Sequence, residues 1–157
     1  MMEPTNIPFG LSRETTIRRS ADGKWSHDGD PIDNDKLARA FDRWLERAED
    51  GRWCLKNEIN WAYVTLEGAP YFVRWVKLDG DQATLRLSND REVELDFRTL
   101  REGPDSVLYC TALGEAARFE SHAAVQLGEW LQEDEQGPYF ERAGERVRPP
   151  RREDPLT

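Results

Sequence analysis

The sequence predicts an α+β fold in which two hairpin–helix–strand repeats flank a central antiparallel β meander. Three observations lead there. Residues 33–49 and 121–131 carry apolar side chains at helical spacing. Between them run short apolar segments with alternating character, separated by Asp-Gly, Glu-Gly and Ser-Asn-Asp turns. An ungapped shift of 86 residues also lays the first helix, with the segment that follows it, over the second.

The chain of 157 residues suits one domain. Residues 1–16 read as an irregular N-terminal arm with Ile7, Phe9 and Leu11 against the core, 17–147 as a single α+β domain, and 148–157 as a disordered tail. Ile17 to Arg19 starts a strand, Asp22-Gly23 turns, and Lys24 to His27 returns, with Asp28-Gly29 as a second turn. Asp33 or Asn34 offers a side-chain oxygen to the free amides of a helix running to Glu49. Leu37, Phe41, Trp44, Leu45 and Ala48 form its apolar stripe, and Asp50-Gly51 ends it. Arg52–Leu55, Trp61–Leu66, Tyr71–Leu78, Gln82–Leu87 and Arg91–Phe97 follow as strands, with Thr84, Arg86 and Ser88 facing away from Leu85 and Leu87. Val107–Ala112 and Ala117–Phe119 are further strands. Ser121 or Glu120 caps the second helix, whose stripe is Ala123, Ala124, Leu127, Trp130 and Leu131, before Gly137-Pro138 and a strand at Tyr139-Phe140.

At the 86-residue offset Trp44 meets Trp130, Leu45 meets Leu131, Gly51 meets Gly137, and Trp53-Cys54 meets Tyr139-Phe140. Any two amphipathic helices share a stripe. The exit glycine and the aromatic pair beyond it, at one offset, favour two copies, spanning about 23–66 and 107–147. A seam between copies is the default place for a ligand.

Charge bounds the partners. With 31 acidic and 22 basic side chains the net charge is −9, a field that repels phosphate backbones and anionic lipid, so neither nucleic acid nor membrane is expected as a partner. The basic cluster of Arg146, Arg148, Arg151 and Arg152 lies in a Pro-rich stretch and reads as solvating it. No apolar run approaches the roughly 20 residues that span a bilayer, and no secretory signal opens the chain, so the expected location is the cytoplasm. Cys54 and Cys110 each sit in an apolar strand-like run and read as buried free thiols of a reducing compartment.

Candidate chemistry is sparse. His27 stands beside Asp28, with Asp30, Asp33 and Asp35 behind it, a proton-transfer or metal-ligand reading. The same residues are ordinary turn formers and helix caps, and the calcium-loop spacing is missing. His122 lies in the first turn of the second helix, an exposed position. Trp25, Trp53, Trp61 and Trp75 suit an aromatic pocket, but a core role explains them better. Glu58, between two strands, and Arg118, before the second helix, flank the proposed seam, where an ion pair, an anion site or plain surface all fit. No cofactor or metal is expected.

The run DGKWSHDGDPI, the helix with Leu37 and Phe41, DGRWCL, Glu58, EGAPYFV, LRLSNDREVELD and AARFES together resemble bacterial proteins of the domain of unknown function 1285 family, over roughly Ile17 to Leu131. The resemblance implies an α+β fold of repeated α/β units, a cleft between them suited to ligand binding or signalling, and no settled catalytic residues. Matching positions are Trp25, His27, Gly29, Pro31, Glu58, Pro70 and Arg118. The candidate ligand-binding set is Trp25, His27, Glu58, Pro70, Tyr71 and Arg118. Departures stand beside these matches. KNEIN replaces a Thr-Pro-x-Glu turn, Gly68 stands where an acid is usual, Ser121 where a second Arg is expected, and no Arg precedes Leu113.

The sequence thus reads as a non-enzymatic cytoplasmic module that binds a small ligand or a protein partner between its repeats, with signalling as one setting and a homodimer as one form. The alternatives are an assembly module without ligand and, ranked last, a metal-dependent hydrolase using His27 with Asp28, Asp30 or Glu58.

Overall fold

Asn34 starts the first helix as its sequence suggests: the side-chain Oδ1 accepts from the amides of Lys36 (3.0 Å) and Leu37 (3.2 Å). This is seen in a computed structural model that describes residues 13–157, so the N-terminal positions Ile7, Phe9 and Leu11 lie outside the described residues. The chain divides into two compact units, Met1–Gly68 and Ala69–Thr157, where the sequence predicts one domain. Both are α+β, and strands dominate.

In the first unit β1 (Arg18–Arg19), β2 (Trp25–His27) and β3 (Asp30–Pro31) form two successive hairpins. Helix α1 covers Asp35–Trp44, followed by β4 (Leu45–Arg47), β5 (Trp53–Lys56), β6 (Trp61–Tyr63) and β7 (Thr65–Leu66). One sheet runs β3-β2-β1-β7, with β1 and β7 parallel, and the other β4-β5-β6, antiparallel throughout. Trp25, Leu45 and Leu55 centre a core to which Phe41, Trp44, Trp53 and Val64 add.

The predicted helix to Glu49 is corrected here. It stops at Trp44, and Leu45 leaves with extended backbone (φ −69, ψ 125) to pair opposite Leu55. Leu45 is buried in either conformation, so the apolar stripe cannot tell the two apart. A ladder to Trp53–Leu55 outcompetes the remaining five helical residues. Asp50-Gly51 accordingly closes a strand hairpin instead of a helix: Gly51 adopts φ 86, and Ala48 N donates to Arg52 O at 2.7 Å.

The second unit opens with β8 (Tyr71–Asp79), β9 (Gln82–Leu87) and β10 (Glu92–Glu94), the predicted antiparallel meander. A 3-10 turn at Phe97–Thr99 leads to β11 (Arg101–Glu102), β12 (Leu108–Ala112) and β13 (Glu115–Phe119). The sheet order is β10-β9-β8-β13-β12-β11, and β13 runs parallel to β8, so the meander is one half of a mixed sheet. Leu85, Leu87, Cys110, Ala117 and Leu127 are among its fully enclosed residues. Ser88, expected on the outward face with Thr84 and Arg86, is buried instead, because its hydroxyl accepts from the Phe72 amide at 3.0 Å.

Helix α2 covers Ser121–Leu127, and a 3-10 turn continues to Trp130. Glu120 occupies its cap position without a side-chain cap bond, and the Gln126 side chain accepts from the Val76 amide at 2.7 Å. Leu131 leaves the predicted stripe to start β14 (Leu131–Asp134) and is 46% exposed. Strands β15 (Gly137–Arg142) and β16 (Glu145–Val147) complete an antiparallel sheet with it.

The last residues, expected as a disordered tail, are laid along β11. Glu102 N donates to Pro150 O and Arg152 N to Glu102 O, both at 2.8 Å, and Arg101 Nε donates to Pro155 O at 2.6 Å. Composition misled here: prolines and arginines look solvated in sequence, but they can serve an edge strand's unpaired backbone.

Candidate functional site

In the first unit the loop from β5 to β6 is held by one side chain. Asn57 Oδ1 accepts from the amides of Ile59 (2.8 Å) and Asn60 (2.9 Å), and Asn57 N donates to Asn60 O at 3.0 Å. This closed turn directs Glu58 and Ile59 outward, and Ile59 is 81% exposed, unusual for a large aliphatic residue.

Beside the loop lies a groove of about 740 Å³, lined by Trp44 from the end of α1, Glu46 from β4, Lys56 from β5, and Asn57, Glu58 and Ile59. A smaller depression of about 150 Å³ shares Trp44 and Asn57 with it and continues over Phe41, Leu55 and Trp61. Trp44 is half-buried, backed by Phe41 with ring centroids 5.9 Å apart. Among the described residues, no hydrogen bond or ion pair engages the carboxylates of Glu46 and Glu58 or the ammonium of Lys56. The groove therefore offers an aromatic face, an aliphatic residue, an amide and three charged ends, dimensions and chemistry typical of small-molecule sites.

Other polar clusters are internally satisfied. Arg146 and Arg148 both bridge to Asp134, and their guanidinium carbons lie 4.6 and 5.0 Å from the centre of the Tyr139 ring. The hydrogen bond from Arg148 holds the Asp134 carboxyl below the usual range. Arg151 bonds Glu102 and the Pro104 carbonyl. Arg146, Arg148 and Arg151, expected to solvate a tail, are thus ion-paired, stacked or bonded to backbone. Arginines lie over tryptophans as well, among them Arg13 over Trp61 at 4.2 Å, Arg47 over Trp53 at 4.4 Å and Arg86 over Trp75 at 5.4 Å.

Of the six expected site residues, Trp25, His27 and Glu58 belong to the first unit and Pro70, Tyr71 and Arg118 to the second. Trp25 is a core residue, 3% exposed, its indole donating to Asp42 and its ring edge-on to Phe41 at 5.3 Å. His27 ends β2 exposed, its Nε2 3.7 Å from Asp28 Oδ2 across an equally exposed pair. Pro70 is buried and Tyr71 half-buried, opposite Ala117. Arg118 is half-buried between Tyr109 and Phe72 in register. Glu58 lines the groove.

Sequence reasoning missed Trp44, Glu46 and Lys56 as site residues. Trp44 sits in the apolar stripe of the first helix, where sequence does not distinguish a groove position from a packed one. Its signal was the helix end two turns after Leu37, legible only once β4 is known. Among the described residues no three His, Cys, Asp or Glu side chains gather to hold a metal ion. No helix among them is long and apolar enough to cross a membrane.

No family model matches the chain, and neither does any curated protein. Solved structures do share its fold. A DUF1285 family protein from Silicibacter pomeroyi DSS-3 superimposes with a TM-score of 0.60 at 17% identity, covering 92% of this chain and 85% of that one. The fold is that of DUF1285 proteins. A second such protein, from Shewanella baltica OS155, gives a TM-score of 0.52 at 18% identity, over 70% of this chain and 87% of that one. The DUF1285 resemblance read over roughly Ile17 to Leu131 thus has a counterpart in three dimensions. At such identity the likeness speaks for the fold, and the DUF1285 comparison leaves chemistry to this chain's own residues.

Proposed function

We propose that this chain is a non-enzymatic DUF1285 binding module of the cytoplasm and that the Trp44 groove of its first unit takes a small ligand. One observation carries the reading: a groove of about 740 Å³ joins a half-buried Trp44 and an exposed Ile59 to charged ends that nothing among the described residues neutralises. A groove that joins apolar surface to charged ends suits a ligand with both characters. Glu58, singled out by the resemblance, lies in the same lining.

The experiment is a thermal-shift screen of the full chain against metabolite pools, repeated with Trp44→Leu. A ligand at a hundred times its Kd adds about 2.7 kcal/mol to stability. A shift that Trp44→Leu abolishes supports the site. A shift indifferent to Trp44 and Glu58 moves the ligand elsewhere, and no shift with any pool sinks the reading. The 81% exposure of Ile59 favours a second reading, in which the same face meets a protein partner. Light scattering that finds a dimer broken by Ile59→Ser would favour it.

The two helix–hairpin segments also read as duplicated copies. Adding 86 to Asp35–Trp44 gives 121–130, the span of α2 with its 3-10 turn, and adding it to Leu45–Arg47 gives 131–133, within β14. Gly51 and Gly137 both adopt positive φ, 86 and 110. The hairpin register differs by one residue, Leu45 facing Leu55 but Leu131 facing Phe140. Relatives in which both segments align at one offset would support duplication, and relatives where only one keeps its Trp and Gly would count against it.

A further inference from the structure

We infer that the ligand of the Trp44 groove is an organic cation with an apolar body, an inference that rests on the groove being the binding site. Its lining holds two carboxylates, Glu46 and Glu58, against the single ammonium of Lys56, so the local charge is negative. Neither carboxylate has a hydrogen-bond or ion-pair partner among the described residues. An anionic ligand would meet both carboxylates and, beyond them, a chain of net charge −9. A small hard metal ion would gain nothing from Trp44 and Ile59, which form the apolar part of the lining.

A cation attached to an alkyl or aryl body uses every part. The negative π face of Trp44 attracts an ammonium or guanidinium group, most strongly among the aromatic rings. Phe41, 5.9 Å behind Trp44, supports the ring in place. Glu46 and Glu58 supply the counter-charge, and the Asn57-closed turn fixes the backbone that carries Glu58. Ile59 offers the aliphatic contact. Lys56 opposes a cation, which makes it the residue that sets affinity from the other side.

The test is isothermal titration of the full chain with hexyltrimethylammonium, hexanol and hexanoate, which share one apolar body and differ in charge. The cation is expected to bind roughly tenfold tighter than hexanoate at low salt, with the preference shrinking as salt is added. Glu46→Gln and Glu58→Gln should each weaken it by roughly threefold, and Lys56→Gln should tighten it by a similar factor. Melting temperatures of the variants check that each remains folded. If hexanol and hexanoate bind as tightly as the cation and Trp44→Leu weakens all three, the groove binds ligands but the cation inference is overturned. If no probe binds, or binding ignores Trp44→Leu, the groove reading itself falls.

Discussion

The Arg19 guanidinium and the Asp42 carboxylate form a buried ion pair, Nη1 to Oδ1 at 2.9 Å, that ties β1 to α1. The same Oδ1 accepts from Trp25 Nε1 at 2.9 Å, and Arg19 also lies 5.3 Å from the Trp25 ring centre. Only about 1% of the Arg19 side chain reaches solvent. A charge so enclosed needs its counter-charge, so this triad ties the β3-β2-β1-β7 sheet of the first unit to its helix.

Asp42→Ala should therefore destabilise the first unit by about 3–5 kcal/mol, since it takes the counter-charge from a buried guanidinium and the acceptor from the Trp25 indole N–H. Asp42→Asn keeps an acceptor and should cost less. Urea unfolding followed by tryptophan fluorescence measures both. Equal effects of the two substitutions would mean that the neutral acceptor contributes nothing and that charge pairing carries the whole effect.

At Gly68 the structure leaves no room for a side chain. A Cβ at Gly68 would sit 2.9 Å from Ala21 Cα and 3.2 Å from Ala21 O, both backbone atoms. Gly68→Ala should cost about 1–3 kcal/mol through forced backbone movement. Ala21→Gly in the same chain removes only the side-chain part of the clash and should not rescue it. A neutral Gly68→Ala, by melting temperature, would refute the close approach.

Arg101 is buried and bonds three acceptors: Pro155 O at 2.6 Å, Thr99 O at 2.8 Å and Thr111 Oγ1 at 3.0 Å. Arg101→Ala should lower stability by about 1–3 kcal/mol and free the C-terminal residues. Limited proteolysis with mass spectrometry should then show cleavage after Arg151 or Arg152 well before the wild-type chain is cut. Unchanged cleavage would mean that the backbone bonds to Glu102 alone hold the segment.

Burial pushes the Cys110 thiol up to about 12 and the Cys54 thiol up to about 11, against an ordinary 9.0. Unfolded thiols ionise near 9, whereas the folded ones stay protonated. Their contribution is therefore complete below about pH 9 and is lost as pH rises towards 11 for Cys54 and 12 for Cys110. Stability should fall by about 1.4 kcal/mol per pH unit for each thiol in that window. Urea midpoints against pH, compared with Cys54→Ala/Cys110→Ala, measure it. A slope that the double variant keeps would assign the alkaline loss to other groups.

Much of the fold was legible in the sequence because local chemistry decides it. Asn34 caps a helix with its own side chain, Asp79-Gly80 turns a hairpin because Gly80 can hold φ 64, and the alternation of Ala83, Leu85 and Leu87 buries one face whatever the neighbours are. Burial alone could not say that Leu45 is buried in a strand, since a helix would have enclosed it equally. Nor could it place Ser88 indoors, where an amide from β8 waits for its hydroxyl.

The candidate site divides along the same line. Sequence by itself marked Glu58 as a polar residue in a loop between strands, and the net charge of −9 led to the expectation of neither nucleic acid nor membrane as a partner. Only the tertiary structure could set Trp44, Glu46 and Lys56 beside it. Those residues come from the end of a helix and from two strands, and their proximity depends on where α1 stops and β4 begins. That boundary is fixed by pairing between Leu45–Arg47 and Trp53–Leu55, a contact between segments. Local preference sets what each residue can do, and the ladder that forms across the turn sets which residues meet.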